Sequence, residues 1–300
     1  MKSDLLTIII PTRNRVDLLK EYLEELVVTA GRYGVLVVVS DNCSTDETRS
    51  LTEVLSLAYN NFSVVNQDVS LSIDESMIAS VAGCRTKYFM WLGDDDRLHS
   101  DAIKYVLETL LNEEPDILLL NMGEVSEGDK TYKASIKLEN DKLYKDALQF
   151  FCEHAFNLPF GSFVLRIESY KLEFYERYMG TSHAYSGMVF DYLAWLQKRG
   201  VIKAIVSSRS YVCSKKVEKS WSSNRARIML YEIPKWFDLL EDYYYPSSLI
   251  VRNQYLRKWL TFHGIFRAFR PVGQIKDFND FDYFSPVQKR VVSLLKRLVK

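Results

Sequence analysis

The chain has 300 residues, 47% of them hydrophobic and 26% charged, with 39 Lys+Arg balanced by 39 Asp+Glu. That is enough apolar material for one large core or two smaller ones, and a net charge of zero gives no basis for bulk nucleic-acid binding. The average hides an asymmetry, because residues 251–300 carry 11 Lys+Arg against 3 Asp+Glu and the rest of the chain carries the opposite excess.

In chain order, "LLTIII" (5–10) is an apolar, β-branched run of strand length, and "VDLLKEYLEELV" places Leu19, Tyr22, Leu23 and Leu26 at helical spacing. "VLVVVS" (35–40) predicts a second strand. "STDETRSLTEVL" predicts a second helix opened by a capping box of Ser44 and Glu47. "FSVVN" (62–66) is a third strand, "IDESMIASVAGC" a helix, and "KYFMWL" (87–92) a further strand, after which Ser100 is expected to cap a helix carrying Ile103, Val106, Leu107 and Leu110. Strands apolar on both faces that alternate with helices imply a mostly parallel sheet covered on both sides, so the first 120 residues read as an α/β nucleotide-binding type. Ligands of such sheets bind beyond the carboxyl ends of the strands.

Past residue 121 the pattern loosens. "GEVSEGDKTYKASIKLEN" reads as a polar hairpin or loop, "YKDALQFFCEHAF" as a helix, and "GSFVLR" and "VIKAIVSS" as strands flanking a helix through "VFDYLAWLQKRG". From about residue 225 the chain is helical and rich in aromatic residues. The four cysteines, Cys43, Cys84, Cys152 and Cys213, form no C-x-x-C pair and read as thiols of a reducing compartment. No run approaches about eighteen apolar residues, so neither export nor membrane spanning is expected.

Three segments carry the chemistry. "IIIPTRNR", "VVVSDNCSTDET" and "YFMWLGDDD" each end a strand in polar or acidic residues, and the parallel order places all three ends on one rim. Three adjacent carboxylates, Asp94, Asp95 and Asp96, repel one another and call for a cation or strong donors. In order and separation these motifs resemble family 2 glycosyltransferases of the GT-A fold, with the resemblance strong over roughly residues 5–110 and weak over 160–222. The resemblance implies an α/β fold of the GT-A type, a Rossmann-like, mostly parallel sheet flanked by helices, with a helical C-terminal extension. It implies a transferase domain over 1–224, its nucleotide-binding half 1–120 and its acceptor half 121–224, followed by a helical, basic region over 225–300.

The resemblance also implies roles. Pro11, Thr12, Arg13, Asn14, Asp41, Asp74, Asp94 and Asp95 would line a nucleoside diphosphate sugar donor, and Asp94 and Asp96 would hold Mn²⁺ or Mg²⁺. Chemically the roles are sound: a strand-end carboxylate accepts from a base edge, and hard oxygens suit a divalent ion that neutralises the departing diphosphate. Which two of the three aspartates touch metal stays open, because Gly93 stands first where the family has an acid. Asp46 reads equally as a turn or cap residue, and Asp74 equally as a helix-start residue.

An inverting transfer needs a base for the acceptor hydroxyl. The family places it in an acidic pair at a helix start, which puts Asp191 at the second position with Phe190 in place of the first acid; His183 is the alternative. Trp221, Arg225 and Arg227 fall where the family has a loop over the donor, or are core and surface residues.

"SPVQKRVVSLLKRLVK" sets Val287, Val291, Leu294, Leu295 and Leu298 against Lys289, Arg290, Lys296, Arg297 and Lys300 on a helical wheel. The pattern suits an anionic membrane surface contacted through 285–300, or docking on the protein itself. The expected acceptor is a glycan or glycolipid, and the expected location cytoplasmic, either free or peripheral at the inner face of a membrane. A non-catalytic nucleotide-sugar-binding or scaffold protein is the alternative. A sugar-phosphate nucleotidyltransferase is weakened by the absence of a glycine-rich loop after the first strand, and a dinucleotide dehydrogenase by the same absence.

Overall fold

The structure is a computed structural model and describes residues 4–125, 132–156, 160–214, 224–269, 278–279 and 281–298. The chain divides into two compact units, Met1–Leu172 with Trp195–Lys216, and Glu173–Ala194 with Val217–Lys300.

The first unit opens with β1 (Leu6–Thr12), α1 (Val16–Lys20), α2 (Leu23–Arg32), β2 (Leu36–Asp41), α3 (Thr48–Ala58), β3 (Phe62–Asn66), α4 (Ile73–Val81) and β4 (Tyr88–Trp91). There follow β5 (Asp96–Leu98), α5 (Ala102–Glu113), β6 (Ile117–Val125), β7 (Tyr132–Ala134), β8 (Lys142–Tyr144), α6 (Ala147–His154) and β9 (Phe163–Arg166). The ten-stranded sheet runs β3-β2-β1-β4-β9-β6-β10-β5, where β10 is Ala204–Ser214, with β7 on β6 and β8 on β10. β3, β2, β1 and β4 pair in parallel, as do β6 and β10, while β9 is antiparallel to both β4 and β6.

The apolar runs explain the layers. Ile8 and Ile10 point to one face of β1 and Ile9 to the other, and all three are buried, which requires helices on both sides. Burying each such side chain is worth about 1.5–3 kcal/mol. α2 turns Leu23, Leu26, Val27 and Ala30 inward at helical spacing and leaves Glu24 and Glu25 outside.

Local differences from the sequence reading have identifiable causes. The helix expected after β1 breaks into α1 and α2, because Tyr22 leaves helical geometry and its hydroxyl accepts the Leu98 N–H at 3.0 Å. The Ser44–Glu47 box does not form. The Ser44 hydroxyl donates to Asp41, and Asp46 accepts the Thr48 N–H at 3.0 Å to start α3. A capping box does form one helix later, between Ser72 and Glu75. The residue preceding α5 is Asp101 rather than Ser100, and its side chain makes no capping bond.

The second unit contains α7 (Leu172–Glu176), most of α8 (Ala184–Gln197), α9 (Arg225–Arg227), a π turn over Ile228–Glu232, α10 (Ile233–Asp238), α11 (Ser247–Trp259), α12 (Phe262–Ala268) and α13 (Pro286–Leu298). Its core is aromatic: Trp236 meets Phe237 edge-on with ring centroids 4.5 Å apart, and the Tyr244 hydroxyl donates to the Phe190 carbonyl at 2.7 Å. In α13 the inward residue is Val292, fully buried, whereas Val287 and Leu294 of the expected apolar stripe are 65% and 58% exposed. Among the described residues no helix is long and apolar enough to cross a membrane.

Candidate active site

The parallel register puts Thr12 opposite Asp41, and Asp41 opposite Asn66, at the carboxyl ends of adjacent strands. β4 runs beside β1 on its other side, so the acidic turn Gly93–Asp96 that follows it leaves the sheet at the same rim. The Thr12 hydroxyl donates to Asp94 Oδ2 at 2.9 Å and joins the first motif to the third. The Asn42 N–H donates to the Thr12 carbonyl at 2.9 Å and joins it to the second.

Asp41 is completely buried. Its Oδ1 accepts the Ser44 N–H at 3.1 Å and the Ser44 hydroxyl, and its Oδ2 has no hydrogen-bond partner among the described residues. A buried carboxylate oxygen without a donor is costly, and a ligand N–H supplies what is missing. Asn14 adopts a left-handed backbone (φ 52°). Its backbone N–H donates to Ser44 Oγ at 2.9 Å, and its side-chain Oδ1 accepts the Thr45 N–H at 2.7 Å. The loops after β1 and β2 are thereby tied together. Pro11 is half-buried, Arg13 is exposed, and Asp74 is buried in the first turn of α4.

The cation at the acidic turn is Arg15, a residue that motif reasoning passed over in favour of Arg13. Its Nη1 lies 3.1 Å from Asp94 Oδ1 and 4.0 Å from Asp95 Oδ2. Burial nonetheless raises the Asp94 carboxyl above the usual aspartate range, with Arg15 and Thr12 opposing the shift and the Asp95 charge adding to it. Arg97 fixes the backbone of the turn, donating to the carbonyls of Asp96 at 2.9 Å and Leu18 at 3.3 Å and stacking over Tyr22 at 4.5 Å.

Asp96 is 4% exposed and sits in a cradle of two glycines. A Cβ on Gly93 would stand 2.6 Å from Asp96 Oδ2, and one on Gly161 (φ 88°) 2.5 Å from the same atom. Gly161, which opens the "GSFVLR" segment, is the other site residue that sequence reasoning left out; its signal is only a glycine before a strand. Among the described residues no group of three or more His, Cys, Asp or Glu is arranged as a ready metal cage.

The two residues named for the base lie in the second unit. Asp191, fully buried on α8, accepts the Tyr178 hydroxyl at 2.7 Å on Oδ1 and has Arg177 3.3 Å from Oδ2. Burial pushes its carboxyl up to about 7, against the pull of Tyr178 and Arg177. Gly187 makes this arrangement possible, since a Cβ there would lie 2.3 Å from the Tyr178 ring. His183 has Nδ1 3.3 Å from the Thr181 carbonyl, and burial lowers it to about 4, so the ring is neutral at pH 7. Trp221 lies outside the described residues. Arg225 is half-buried, and Arg227, exposed, pairs with Glu232 at 3.0 Å.

Against known proteins, the model of glycosyl transferase family 2 matches residues 7–172, more than half of the chain. No curated protein matches in sequence. Among solved structures, residues 1–349 of Staphylococcus aureus TarS superpose with a TM-score of 0.59 at 15% identity, covering 97% of this chain and 78% of that one. The same TarS fragment in complex with UDP-GlcNAc gives 0.59 at 16% identity, over 96% and 78%. The Pyrobaculum calidifontis mannosyltransferase PcManGT, in complex with GDP-Man and Mn²⁺, gives 0.56 at 13% identity over 99% and 82%. At these identities the likeness is one of fold.

Proposed function

This chain belongs to glycosyl transferase family 2, enzymes that transfer sugars, and from that premise we propose that it is a metal-dependent, inverting transferase that moves a sugar from a nucleoside diphosphate to a glycan hydroxyl. The observation that carries the reading is the convergence of Thr12, Asp41 and the acidic turn on one rim, joined by the Thr12–Asp94 bond, with one buried Asp41 oxygen lacking a donor. The neighbours in complex with UDP-GlcNAc and with GDP-Man and Mn²⁺ support a nucleotide sugar as donor.

In this reading Asp41 accepts from the base, and Pro11, Thr12, Arg13, Asn14, Asp74 and Asp95 line the nucleotide. The donor set suits Mg²⁺ or Mn²⁺: the oxygens are hard, and the carboxylates of Asp94 and Asp95 share one guanidinium nitrogen, Arg15 Nη1, at 3.1 and 4.0 Å. Asp94 and Asp96 are the carboxylates assigned to hold the ion, which would offset charge on the leaving diphosphate. Asp191 is assigned as base because its carboxyl, pushed up to about 7, is matched to proton uptake near neutrality, whereas His183 at about 4 is a weaker base. We keep residues 1–224 as the transferase portion and 225–300 as a basic extension that brings the enzyme to an anionic, cytoplasmic membrane face bearing a lipid-linked acceptor.

The test is thermal shift with UDP, GDP and dTDP, each with and without Mn²⁺ or Mg²⁺, followed by donor turnover. A nucleoside diphosphate should stabilise the protein only with the metal present. If no combination moves the melting point, the donor site is misassigned.

A further inference from the structure

Two guanidinium groups serve the acidic turn, and they are held differently. Arg97 is built in: its partners are backbone carbonyls and the Tyr22 ring, with Glu21 3.6 Å away. Arg15 reaches the carboxylates themselves, and one nitrogen, Nη1, faces both Asp94 at 3.1 Å and Asp95 at 4.0 Å. It also occupies the position just before α1, where the backbone is not yet helical, so its stem starts from the loop after β1 rather than from a packed helix face.

We propose that Arg15 is an exchangeable counter-ion: with the donor absent it rests on Asp94, and when the donor binds it passes to the diphosphate and leaves Asp94 to the divalent cation. The inference rests on the donor-site reading above and adds to it a phosphate-binding residue and a coupling. Arg15 and a metal ion compete for the same oxygen of Asp94. A diphosphate offers the guanidinium a forked partner of higher charge than a single carboxylate. Asp94 keeps its Thr12 bond on Oδ2 while Oδ1 changes partner, so the turn itself need not move. Nucleotide and metal then raise each other's affinity by the same factor, as linkage requires. Metal entering alone must displace Arg15 without giving it a new partner.

The experiment is titration of the full-length protein with Mn²⁺, following free Mn²⁺ by electron paramagnetic resonance, alone and with saturating UDP or GDP. It is run on wild type, Arg15→Gln and Arg15→Lys, each first checked for an unchanged melting point. Wild type should bind Mn²⁺ weakly alone and about tenfold or more tighter with nucleotide. Arg15→Gln should bind Mn²⁺ alone about tenfold tighter than wild type and gain correspondingly less from nucleotide than wild type does. Arg15→Lys, which keeps the charge, should stay near wild type for Mn²⁺ alone. If Arg15→Gln binds Mn²⁺ alone no tighter than wild type while both still bind it with nucleotide, the exchange is refuted and the donor site stands. If wild type takes up no Mn²⁺ with any nucleotide, the donor-site reading fails and the exchange with it.

Discussion

The glycine cradle of Asp96 gives a prediction in which backbone strain and carboxylate placement separate. Gly93→Ala places a methyl 2.6 Å from Asp96 Oδ2, where ordinary contact begins at 3.4 Å, so the carboxylate tip has to move by the difference. The tip of a side chain gives way easily, and Gly93 has no positive φ, so the melting point should change little. A displacement of about 1 Å at a functional group can nonetheless lower turnover about 10²-fold. Gly161→Ala combines the same clash, at 2.5 Å, with φ 88°. Left-handed geometry costs a non-glycine residue about 1–2 kcal/mol, which for a protein of this size lowers the melting point by about 2–3 °C. Gly180→Ala has φ 78° and nothing within 4 Å of the added atom, so it carries strain alone. The expected pattern is turnover lost in Gly93→Ala, stability lost in Gly180→Ala, and both lost in Gly161→Ala. The assays are nucleoside diphosphate release with saturating Mn²⁺ and thermal melting of the same preparations. Full turnover in Gly93→Ala would refute the assignment of Asp96 to the metal.

Asp191→Asn should lower turnover by about 10²-fold with little change in donor affinity, and turnover near wild type would leave Asp191 a structural carboxylate. The same variant has a pH signature: the folded pKa of about 7 lies above the ordinary 3.8, so the proton on Asp191 stabilises the fold at low pH and that contribution is lost as pH rises from about 4 to about 7. Asparagine has no proton to lose, so its melting point should gain on wild type across that window, and parallel profiles would contradict the raised pKa. In α13, Val287→Asp and Leu294→Asp should abolish flotation with anionic vesicles while changing stability by less than about 0.5 kcal/mol, because both side chains are exposed. Val292→Asp should instead destabilise the fold, since that side chain is fully buried. Flotation of wild type that survives both exposed-face substitutions, or that is absent at low salt, would remove the membrane reading.

Much of the first unit follows from local pattern. A β-branched run buried on both faces has to be a covered strand, and the alternation of such runs with amphipathic segments fixes the order β1 to β4 without knowledge of any contact. The acidic turn was legible for the same reason, since charge concentrated at a strand end is a one-dimensional feature. Partner choice was not. Arg13 and Arg15 flank Asn14 symmetrically in the sequence, and it is the folded backbone, with Asn14 at φ 52°, that leaves Arg13 in solvent and sets Arg15 on Asp94. The Ser44 hydroxyl had a helix N-terminus and a neighbouring carboxylate within reach, and the buried Asp41 took it.

In α13 the periodicity established an amphipathic helix, yet the choice of inward face fell to Val292 and left Val287 and Leu294 outside. Gly161 meets the Asp96 carboxylate only after β9 has threaded between β4 and β6. The sequence by itself determined the order of β1 to β4 with their intervening helices and the chemistry concentrated at the rim, because periodicity and adjacency act over a few residues. Tertiary structure alone decided which cation faces which carboxylate and which glycines leave room for it, because those choices depend on segments tens of residues apart arriving at the same few ångströms.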